Sequence, residues 1–287
     1  MALVSFVDPS GRGDTPRTMA LNVHVTGVSG LIGDVVYAHL AAQPDRYTVT
    51  GSGRRYESSS RVAQGRPLSC PRDRFRLADL ADLEAVERAI EGAEVVVHMG
   101  AIPDPSAPIE VIVPSNVVGG YNVLEACRRG GVRRVVYAST VMTNWGYRFD
   151  EPYKAISEGR FEDVPDGFRR VTHRDPVRPT EPYSASKVWG EGMCRAYADG
   201  HGLSCLCLRI GGVNHRDVPE GADGGALWCS HRDVATVAEL AVNAPAELRF
   251  DIFYALSTSR YRWLDAEHTR EVLGFEPADR AEDHLAG

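Results

Sequence analysis

The sequence predicts an α/β protein in which a doubly wound, parallel sheet is followed by a small C-terminal region. Short runs rich in Val, Ile and Tyr alternate along the chain with longer segments of helical period. A glycine-rich turn at residues 26–33 lies directly between the first such run and the first helical segment. Because parallel strands need long crossover connections, this alternation indicates a parallel sheet that is covered by helices on both faces.

The predicted elements follow one another in regular order. Strands are expected at residues 21–26, 47–51, 94–98, 134–139 and 204–210, and helices at residues 31–42, 83–91, 115–129 and 183–199. Past residue 210 the pattern changes to a helix at 231–243, an extended segment at 250–256 and a helix at 264–273. We therefore expect a sheet domain over residues 19–210 and a smaller region, residues 211–287, that encloses a substrate.

Two segments differ in composition from the rest of the chain. Residues 1–18 combine a short apolar start with Asp, Gly and Pro, and we expect a flexible N-terminal extension there. Residues 144–180 form an insertion with many charges and several ring side chains, namely Trp145, Tyr147, Tyr153, Phe161, Phe168 and His173. This insertion is interpreted either as a lid over the site or as a surface segment that packs on its own aromatic residues.

Charge and cysteine content exclude several classes of protein. Lys and Arg number 32 against 39 Asp and Glu, and the net charge of -7 has the wrong sign for a general binder of nucleic acids or anionic membranes. No run approaches the roughly 18 apolar residues of a membrane span. The six cysteines form no Cys-x-x-Cys pair, and His173, His215 and His231 show no metal-ligand spacing. We predict reduced thiols, no metal, a cytoplasmic location and a small-molecule substrate as the partner.

The turn at residues 26–33 has the sequence Thr-Gly-Val-Ser-Gly-Leu-Ile-Gly. Gly27, Gly30 and Gly33 allow a tight backbone turn, a close approach to a pyrophosphate and close packing of helix on strand. Free N–H groups at the helix start favour an anion. With a strand before it and a helix after it, the turn predicts a Rossmann-type dinucleotide site that includes Ser29, Leu31 and Ile32.

The end of the second strand bears on the choice between NAD and NADP. An acidic residue that bonds the ribose hydroxyls is expected about 20 residues after the turn. This sequence has Gly51-Ser52-Gly53-Arg54-Arg55 there, with no carboxylate. Because the guanidiniums of Arg54 and Arg55 can bind a 2′-phosphate, NADP is favoured over NAD. The alternative is that both arginines are solvated on a loop.

A tyrosine and a lysine four residues apart predict acid/base chemistry. Tyr183 and Lys187 open a helix after a turn-prone segment, so both side chains lie on one helical face. A neighbouring ammonium lowers the pKa of a phenol toward the range of a general acid/base. Ser139 and Thr140, at the end of an earlier strand, are expected to bring a hydroxyl to the same crevice.

Taken in order, these motifs resemble the extended short-chain dehydrogenase/reductase superfamily, in its NAD-dependent epimerase/dehydratase branch. The resemblance runs from Leu21 to the C-terminus. It is carried by the glycine turn, Asp79-Leu80 after a third strand, His98-Met99-Gly100-Ala101 after the fourth, Asn116 with Gly119 and Asn122, the Tyr183/Lys187 pair and Leu208-Arg209-Ile210-Gly211. Within the superfamily the C-terminal segments 227–230, 253–257 and 273–275 are similar to uronate dehydrogenases, which oxidise the anomeric carbon of a hexuronic acid with NAD.

The resemblance implies roles for individual residues. Tyr183 is then the acid/base, Lys187 lowers its pKa and holds the nicotinamide ribose, and Thr140 orients the substrate hydroxyl. Further cofactor contacts are implied at Asp79, Leu80, Met99, Gly100, Ala101, Asn116, Ala138, Ser139 and Ile210. A helix cap at Asp79 and a helix start at Asn116 are the structural alternatives. The resemblance also implies a homodimer that pairs through the helices at 115–129 and 183–199.

The region that would contact the substrate departs from uronate dehydrogenases. Those enzymes have Ser-Asn-His after the fifth strand where this sequence has Thr140-Val141-Met142. Ala222-Asp223-Gly224-Gly225 stands where they place an arginine for the substrate carboxylate. Because a buried carboxylate without a cationic partner is costly, a uronic acid is disfavoured as the substrate. Val141, Met142, Trp145 and Trp228 are interpreted as substrate contacts in a less polar pocket, with core packing as the alternative.

The function predicted from these motifs is hydride transfer between nicotinamide and a secondary alcohol or ketone, a sugar-derived compound being one candidate substrate. A nucleotide-sugar epimerase that retains its cofactor uses the same residues and stays open as an alternative. A dehydratase is disfavoured, because Val141 stands where that chemistry needs an acidic residue. From another class, a non-catalytic NAD(P)-sensing protein is also considered, although such proteins often lose the tyrosine or the lysine.

Overall fold

A seven-stranded sheet runs through the centre of the protein. In this computed structural model, which describes residues 20–62 and 66–285, every pair of neighbouring strands is parallel. The strands are β1 (Leu21–Thr26), β2 (Tyr47–Gly53), β3 (Phe75–Leu77), β4 (Val95–His98), β5 (Arg134–Thr140), β6 (Ser204–Ile210) and β7 (Phe250–Ala255). The N-terminal extension predicted at residues 1–18 lies outside the described residues.

The order of the strands creates a crevice at one edge of the sheet. They lie side by side as β3-β2-β1-β4-β5-β6-β7. The chain therefore winds outward from β1 to β3 on one side, crosses back, and continues from β4 to β7 on the other. Loops leave β1 and β4 in opposite directions at their carboxyl ends, which is where ligands bind in doubly wound sheets. The predicted fold class is confirmed.

Ten α-helices are present among the described residues. They are α1 (Leu31–Ala41), α2 (Leu83–Ile90), α3 (Ile109–Ile112), α4 (Gly119–Arg129), α5 (Tyr153–Ser157), α6 (Pro182–His201), α7 (Gly221–Leu227), α8 (His231–Asn243), α9 (Glu267–Leu273) and α10 (Glu282–Leu285). A π-helical segment, Val113–Val118, joins α3 to α4, and a 3₁₀ segment, Val141–Phe149, follows β5. No helix of the described residues is both long enough and apolar enough to span a membrane.

Helix α6 carries Tyr183 and Lys187, and local chemistry fixes both of its ends. The Glu181 carboxylate accepts hydrogen bonds from the first-turn N–H groups of Tyr183 (2.6 Å) and Ser184 (2.9 Å). Pro182 occupies the first helical position, where its missing N–H costs nothing. Gly202 ends the helix in the left-handed region at φ 69°. Tyr183 and Lys187 therefore lie in the first two turns of a well-capped helix.

Both faces of the sheet are buried. Successive side chains of a strand point to opposite faces, so β4, β5 and β6 each contribute to two clusters. On one face, Val23 and Val25 of β1 pack with α1 and α8. On the other face, Val96 and Val135 pack with α2, α4 and α6. The side chains of β6 alternate in the same way, and all six cysteines are buried free thiols.

The C-terminal region contributes to the same core. Strand β7 pairs with β6, and Val234 and Val237 of α8 belong to the cluster that contains β1. The change of pattern at residue 210 therefore does not mark a break in packing. The division at 210 remains a prediction about binding roles, because residues on both sides of it line the cleft described below.

Three local features differ from the sequence pattern. Periodicity does not reveal β3, because three residues are too few to show alternation; only the family resemblance implied a strand before Asp79. The predicted helix at 115–129 is a π-helical segment followed by α4, and Pro114 in that segment has no N–H to donate to a regular ladder. The helix predicted from residue 264 begins at Glu267.

Residues 144–180 pack against the C-terminal part of the chain. Tyr153, Ile156 and Val171 are buried in a cluster with Trp263 and Leu264. Val171 also forms a parallel β-bridge with Leu264. These contacts anchor much of the segment, and its role as a lid stays a prediction.

Candidate active site

A cleft of about 600 Å³ opens at the carboxyl edge of the sheet. Nearly all of the predicted cofactor residues line it, namely Gly27, Ser29, Gly30, Leu31, Ile32, Gly33, Arg54, Arg55, Asp79, Leu80, Met99, Gly100, Ala101, Ala138, Ser139, Tyr183, Lys187 and Ile210. We call the part lined by residues 27–33, 52–61, 78–80 and 99–104 the cofactor half. The part lined by residues 141, 142, 145, 211–213, 223, 224 and 227 is called the substrate half. Thr140, Tyr183 and Lys187 lie between them.

The glycine turn brings three backbone segments into contact. Gly27 has φ +73°, and a Cβ atom on it would lie 2.6 Å from the Cα of Gly100. A Cβ atom on Gly33 would lie 2.2 Å from the carbonyl oxygen of Gly27. Among the described residues, no side chain caps the start of α1 at Gly30. Its first-turn N–H groups therefore remain available to an anion in the cleft, as a bound pyrophosphate requires.

Two arginines stand at the end of β2. Arg54 and Arg55 both line the cofactor half, directly after Gly53. Among the described residues, neither guanidinium forms a hydrogen bond or an ion pair, although Ser29 Oγ donates to the backbone oxygen of Arg55 (2.8 Å). Two guanidiniums beside the glycine turn have the charge and the donors that suit an anion, as predicted for a 2′-phosphate.

Asp79 is not the cap of α2. The helix cap is Asp82, whose carboxylate accepts a hydrogen bond from the N–H of Ala85 (3.1 Å). Asp79 accepts a hydrogen bond from the N–H of Ala81 (3.0 Å) with one oxygen and lines the cleft. The position of Asp79 thus fits the predicted cofactor contact better than the alternative of a cap.

Tyr183 is buried at the floor of the cleft. The hydroxyl of Thr140, which accepts a hydrogen bond from the N–H of Met142 (3.2 Å), lies close enough to lower the pKa of the Tyr183 phenol. Burial raises the pKa of Tyr183 to about 12, and this effect outweighs the lowering by Thr140 and by the nearby Arg61 guanidinium. In the ligand-free protein the phenol is therefore protonated at neutral pH.

The structure gives Lys187 a hydrogen-bond partner that the sequence did not predict. Its ammonium donates to the backbone oxygen of Ala138 (2.7 Å), and burial lowers its pKa to about 8. The expected lowering of the Tyr183 pKa by Lys187 does not occur in the ligand-free protein, because desolvation of the phenol dominates. An ammonium has three N–H donors, so two remain for a ligand in the cleft.

Asn116 does not line the cleft, although a cofactor contact was predicted for it. Its side chain is buried, accepts from the N–H of Ile102 (2.8 Å) and donates to the carbonyl oxygen of Ile102 (3.1 Å). It also donates to Ser186 Oγ (3.2 Å) on α6. Asn116 thus joins the loop after β4 to the catalytic helix and supports the site from behind.

A buried ionic network lies behind Ser139 and was missed at the level of sequence. Ser139 Oγ donates to Glu191 on α6 (2.6 Å), and Glu191 pairs with Arg209 of β6 through two contacts of 2.8 Å. Arg209 also donates to the side-chain oxygen of Asn144 (2.9 Å), which accepts a second hydrogen bond from Tyr254 Oη (2.9 Å). The network connects α6, β5, β6 and the 3₁₀ segment that begins the substrate half.

The substrate half contains three of the four predicted substrate contacts. Val141, Met142 and Trp145 line it. Trp228 does not: it is buried away from the cleft, and its ring packs on His284 at 4.8 Å between centroids. Asp223 also lines this half, and nothing beyond its replacement of an arginine pointed to it in the sequence.

Outside the cleft, His173, Asp251 and His268 place ligand atoms within 4.8 Å of one another. The two histidine rings are stacked, with centroids 3.9 Å apart and planes 19° apart. A metal ion lies in the ring plane of each histidine that binds it, and nearly parallel stacked rings do not meet this condition. His268 instead shares a 2.9 Å hydrogen bond with Asp251, so this geometry is that of a ring stack.

Comparison with known proteins assigns the architecture. A sequence profile of the NAD-dependent epimerase/dehydratase family matches residues 23–215. The chain belongs to this family. The prediction of an extended short-chain dehydrogenase/reductase is thereby confirmed, and the protein is an enzyme of that type.

Relatives of this family member include sugar dehydrogenases. An NAD-dependent glucose-6-phosphate dehydrogenase of Haloferax volcanii is 26% identical over 90% of this chain and 94% of its own. An L-arabinose 1-dehydrogenase (NAD(P)(+)) of the same organism is 30% identical over 90% of this chain and 97% of its own. The structure of a uronate dehydrogenase variant from Agrobacterium tumefaciens complexed with NAD superposes with a TM-score of 0.71 at 27% identity, covering 92% of this chain and 87% of that one.

The cleft of this family member fits an NAD(P)-type cofactor. The uncapped start of α1 and the close packing of Gly27 on Gly100 leave backbone, and no side chain, where a pyrophosphate binds. The free N–H donors of Lys187 are suited to ribose hydroxyls at the other end.

Proposed function

We propose that this enzyme is an NAD(P)-dependent dehydrogenase that oxidises an alcohol carbon of a sugar or a similar polyhydroxy compound, with Tyr183 as the general acid/base. The observation that carries the proposal is the position of the Tyr183 hydroxyl. It is buried in the cleft beside Thr140 and one helical turn from Lys187, between the two halves.

The protein's own residues move the proton and hold the reactants. When bound, the nicotinamide cofactor supplies the hydride acceptor for oxidation and the donor for reduction. Thr140 holds the reacting substrate oxygen beside Tyr183, and in oxidation the Tyr183 phenolate takes up the hydroxyl proton as the C–H bond breaks. Lys187 uses its remaining N–H groups to fix the ribose hydroxyls and so the position of the ring.

The direction of the proton transfer depends on the charge in the cleft. The pKa of Tyr183 near 12 keeps the phenol protonated in the ligand-free protein, which suits donation to a carbonyl. Oxidation needs the phenolate form. Positive charge close to the phenol lowers its pKa, and both Lys187 and an oxidised nicotinamide ring provide such charge.

Two finer assignments concern the ligands. The sugar substrate is supported by the names of the relatives, which act on glucose 6-phosphate, L-arabinose and uronate. A preference for NADP is supported by the free guanidiniums of Arg54 and Arg55 and by the lack of an acidic residue at Ser52 and Gly53.

Replacement of Tyr183 tests the proposed function. We expect Tyr183→Phe to lower kcat for sugar oxidation by at least about a hundredfold, because the proton acceptor is lost. The dissociation constant for the cofactor, measured by fluorescence titration, should stay within about twofold, since the ring remains. Tyr147→Phe is the matched control, because Tyr147 lies outside the cleft and donates to the backbone oxygen of Pro176. Turnover unchanged in Tyr183→Phe would contradict the assignment.

The same preparation distinguishes the alternatives. A freshly purified protein that carries tightly bound nicotinamide and interconverts sugar epimers without net reduction would be an epimerase. A protein that binds cofactor but turns over no alcohol, ketone or nucleotide sugar would be a sensor.

A homodimer and a cytoplasmic location are also proposed. The surface of α3, the π segment and α4 exposes Ile109, Val111, Val113, Val118 and Tyr121, a group of apolar side chains that a second copy of the chain would cover. Sedimentation of the purified protein tests the dimer. All six cysteines are free thiols, which fits a reducing compartment.

A further inference from the structure

The substrate half of the cleft contains one charged side chain. Among the described residues that line this half, Asp223 is the only acid or base; the others are apolar side chains or glycines. The carboxylate is therefore the charged group of this half, while Lys187 and Arg61 line the cleft outside it.

The partners of Asp223 leave one of its oxygens unsatisfied. Oδ2 pairs with the Arg148 guanidinium at 2.6 Å, and the two side chains are 25% and 29% exposed. Oδ1 is buried and accepts no hydrogen bond from the described residues. Burial raises the pKa of Asp223, and this effect is opposed by the Ser157 hydroxyl and by Arg148. The exposed quarter of the side chain therefore lies at Oδ2 and the carbon atoms, and a carboxylate oxygen that accepts from one guanidinium has a lone pair left for a ligand hydroxyl.

Arg148 cannot serve a substrate anion in this arrangement. Its guanidinium stacks over the Trp145 ring at 4.3 Å, donates to Ser157 Oγ at 3.1 Å and pairs with Asp223. Arg148 does not line the cleft. Its guanidinium forms an ion pair with Asp223, and it is the Asp223 side of this pair that lines the cleft. Arg61 faces Tyr183 from the cofactor half and donates to the backbone oxygen of Pro103 (2.7 Å).

We infer that Asp223 is the specificity-determining residue of the substrate half, accepting a hydrogen bond from a substrate hydroxyl and selecting sugars that carry no acidic group there. This inference rests on the proposed function. A hydroxyl donates a hydrogen bond to a carboxylate, whereas a carboxylate or a phosphate has no proton to donate and brings a second negative charge.

The sugars named for the relatives differ in this property. Glucose 6-phosphate carries a phosphate, uronates carry a carboxylate and L-arabinose carries neither. The contacts of Asp223 place the substrate in the uncharged class, that of a neutral aldose or polyol.

The test compares D-galactose with D-galacturonate, which differ only in a hydroxymethyl or carboxylate group at C6. L-arabinose serves as the shorter neutral substrate. We expect the wild-type enzyme to have a kcat/KM for D-galactose at least about a hundredfold above that for D-galacturonate. Asp223→Asn, which keeps size but removes the charge, should reduce this ratio by about tenfold or more, mostly through KM. Asp150→Asn is the matched control, because Asp150 pairs with Arg178 outside the cleft.

Each outcome decides between the two claims. A wild-type preference for D-galacturonate, or a ratio that Asp223→Asn leaves unchanged, overturns the inference while the proposed function stands. No oxidation of any of the three sugars by the wild-type enzyme overturns the proposed function, and the inference with it. If Asp223→Asn melts early because Arg148 loses its partner, Asp223→Asn combined with Arg148→Gln removes both charges and gives the same comparison.

Discussion

The two halves of the cleft are built in different ways. The cofactor half consists largely of backbone, and its tightest contacts join Gly27, Gly33 and Gly100 at distances that exclude a side chain. The substrate half is fixed by side chains from remote parts of the chain, through the Glu191/Arg209 pair with Asn144 and through the Asp223/Arg148 pair. The cofactor half fits a ligand that many enzymes share. The charge of the substrate half, by contrast, can be changed by a single substitution.

The largest expected effect comes from breaking the buried network that supports the substrate half. Glu191 and Arg209 are 6% and 2% exposed. We expect Arg209→Met to lower the free energy of unfolding by about 3–5 kcal/mol, because the Glu191 charge is left buried without its partner. Urea denaturation followed by circular dichroism measures this loss.

Two variants sharpen that result. Glu191→Gln combined with Arg209→Met leaves no buried charge and should be less destabilised than Arg209→Met alone. Arg195→Met removes an exposed ion pair with Asp199 on the same helix and should cost less than about 1 kcal/mol. If Arg209→Met weakened cofactor binding as much as it raised the substrate KM, the network would support both halves of the cleft. That result would contradict its assignment to the substrate half.

A smaller effect is expected in the cofactor half. Replacing Arg54 and Arg55 together with Ala should weaken NADP binding by about tenfold or more and NAD binding by much less, because only NADP has a 2′-phosphate for the guanidiniums. The substrate KM should not change. Arg88→Ala, on the exposed side of α2, is the control. Equal losses for the two cofactors, or no preference for NADP in the wild-type enzyme, would refute the assignment.

The smallest effect concerns Lys187, at the junction of the halves. The chain has only two lysines, Lys154 and Lys187. With its pKa lowered to about 8, Lys187 is half neutral at pH 8, and the neutral fraction, which reacts with acylating reagents, rises about tenfold from pH 7 to pH 9 before levelling off. An ordinary lysine, with a pKa of about 10.4, is still gaining reactivity above pH 9.

Trace acylation at a series of pH values, read by peptide mass spectrometry, gives this profile. Exposed Lys154 in the same sample is the internal reference. Cofactor should protect Lys187 and leave Lys154 unaffected. A Lys187 profile that keeps rising to pH 10, or no protection by cofactor, would contradict its placement.

The cofactor half was predictable because its determinants are close together in sequence. The glycines of the turn lie within seven residues, and their order after a strand is sufficient to identify them. Tyr183 and Lys187 were predictable for the same reason. Their pKa values were not, since burial, which the sequence does not show, outweighs their mutual effect.

The substrate half could not be predicted in the same way. Asp223 meets Arg148, and Arg209 meets Asn144, only after distant segments have packed. Trp228 was expected in the cleft because an aromatic residue suits both a pocket and a core, and only the fold decides between them. Asn116 was assigned to the right region but contacts the protein backbone, because the segment that carries it turns toward Ile102.

One continuous helical stretch, the π-helical segment Val113–Val118 followed by α4, contacts two loops. Asn116 bonds the loop after β4, and Asn122, in α4, donates to the backbone oxygen of Leu80 after β3 (2.8 Å). Each residue of an α-helix turns the direction of its side chain by about 100°, so the two contacts depend on how many residues separate Asn116 from Asn122. The number of residues between the two asparagines is therefore constrained more tightly than their identity: deleting one residue would rotate Asn116 away from its loop, although every remaining side chain was retained.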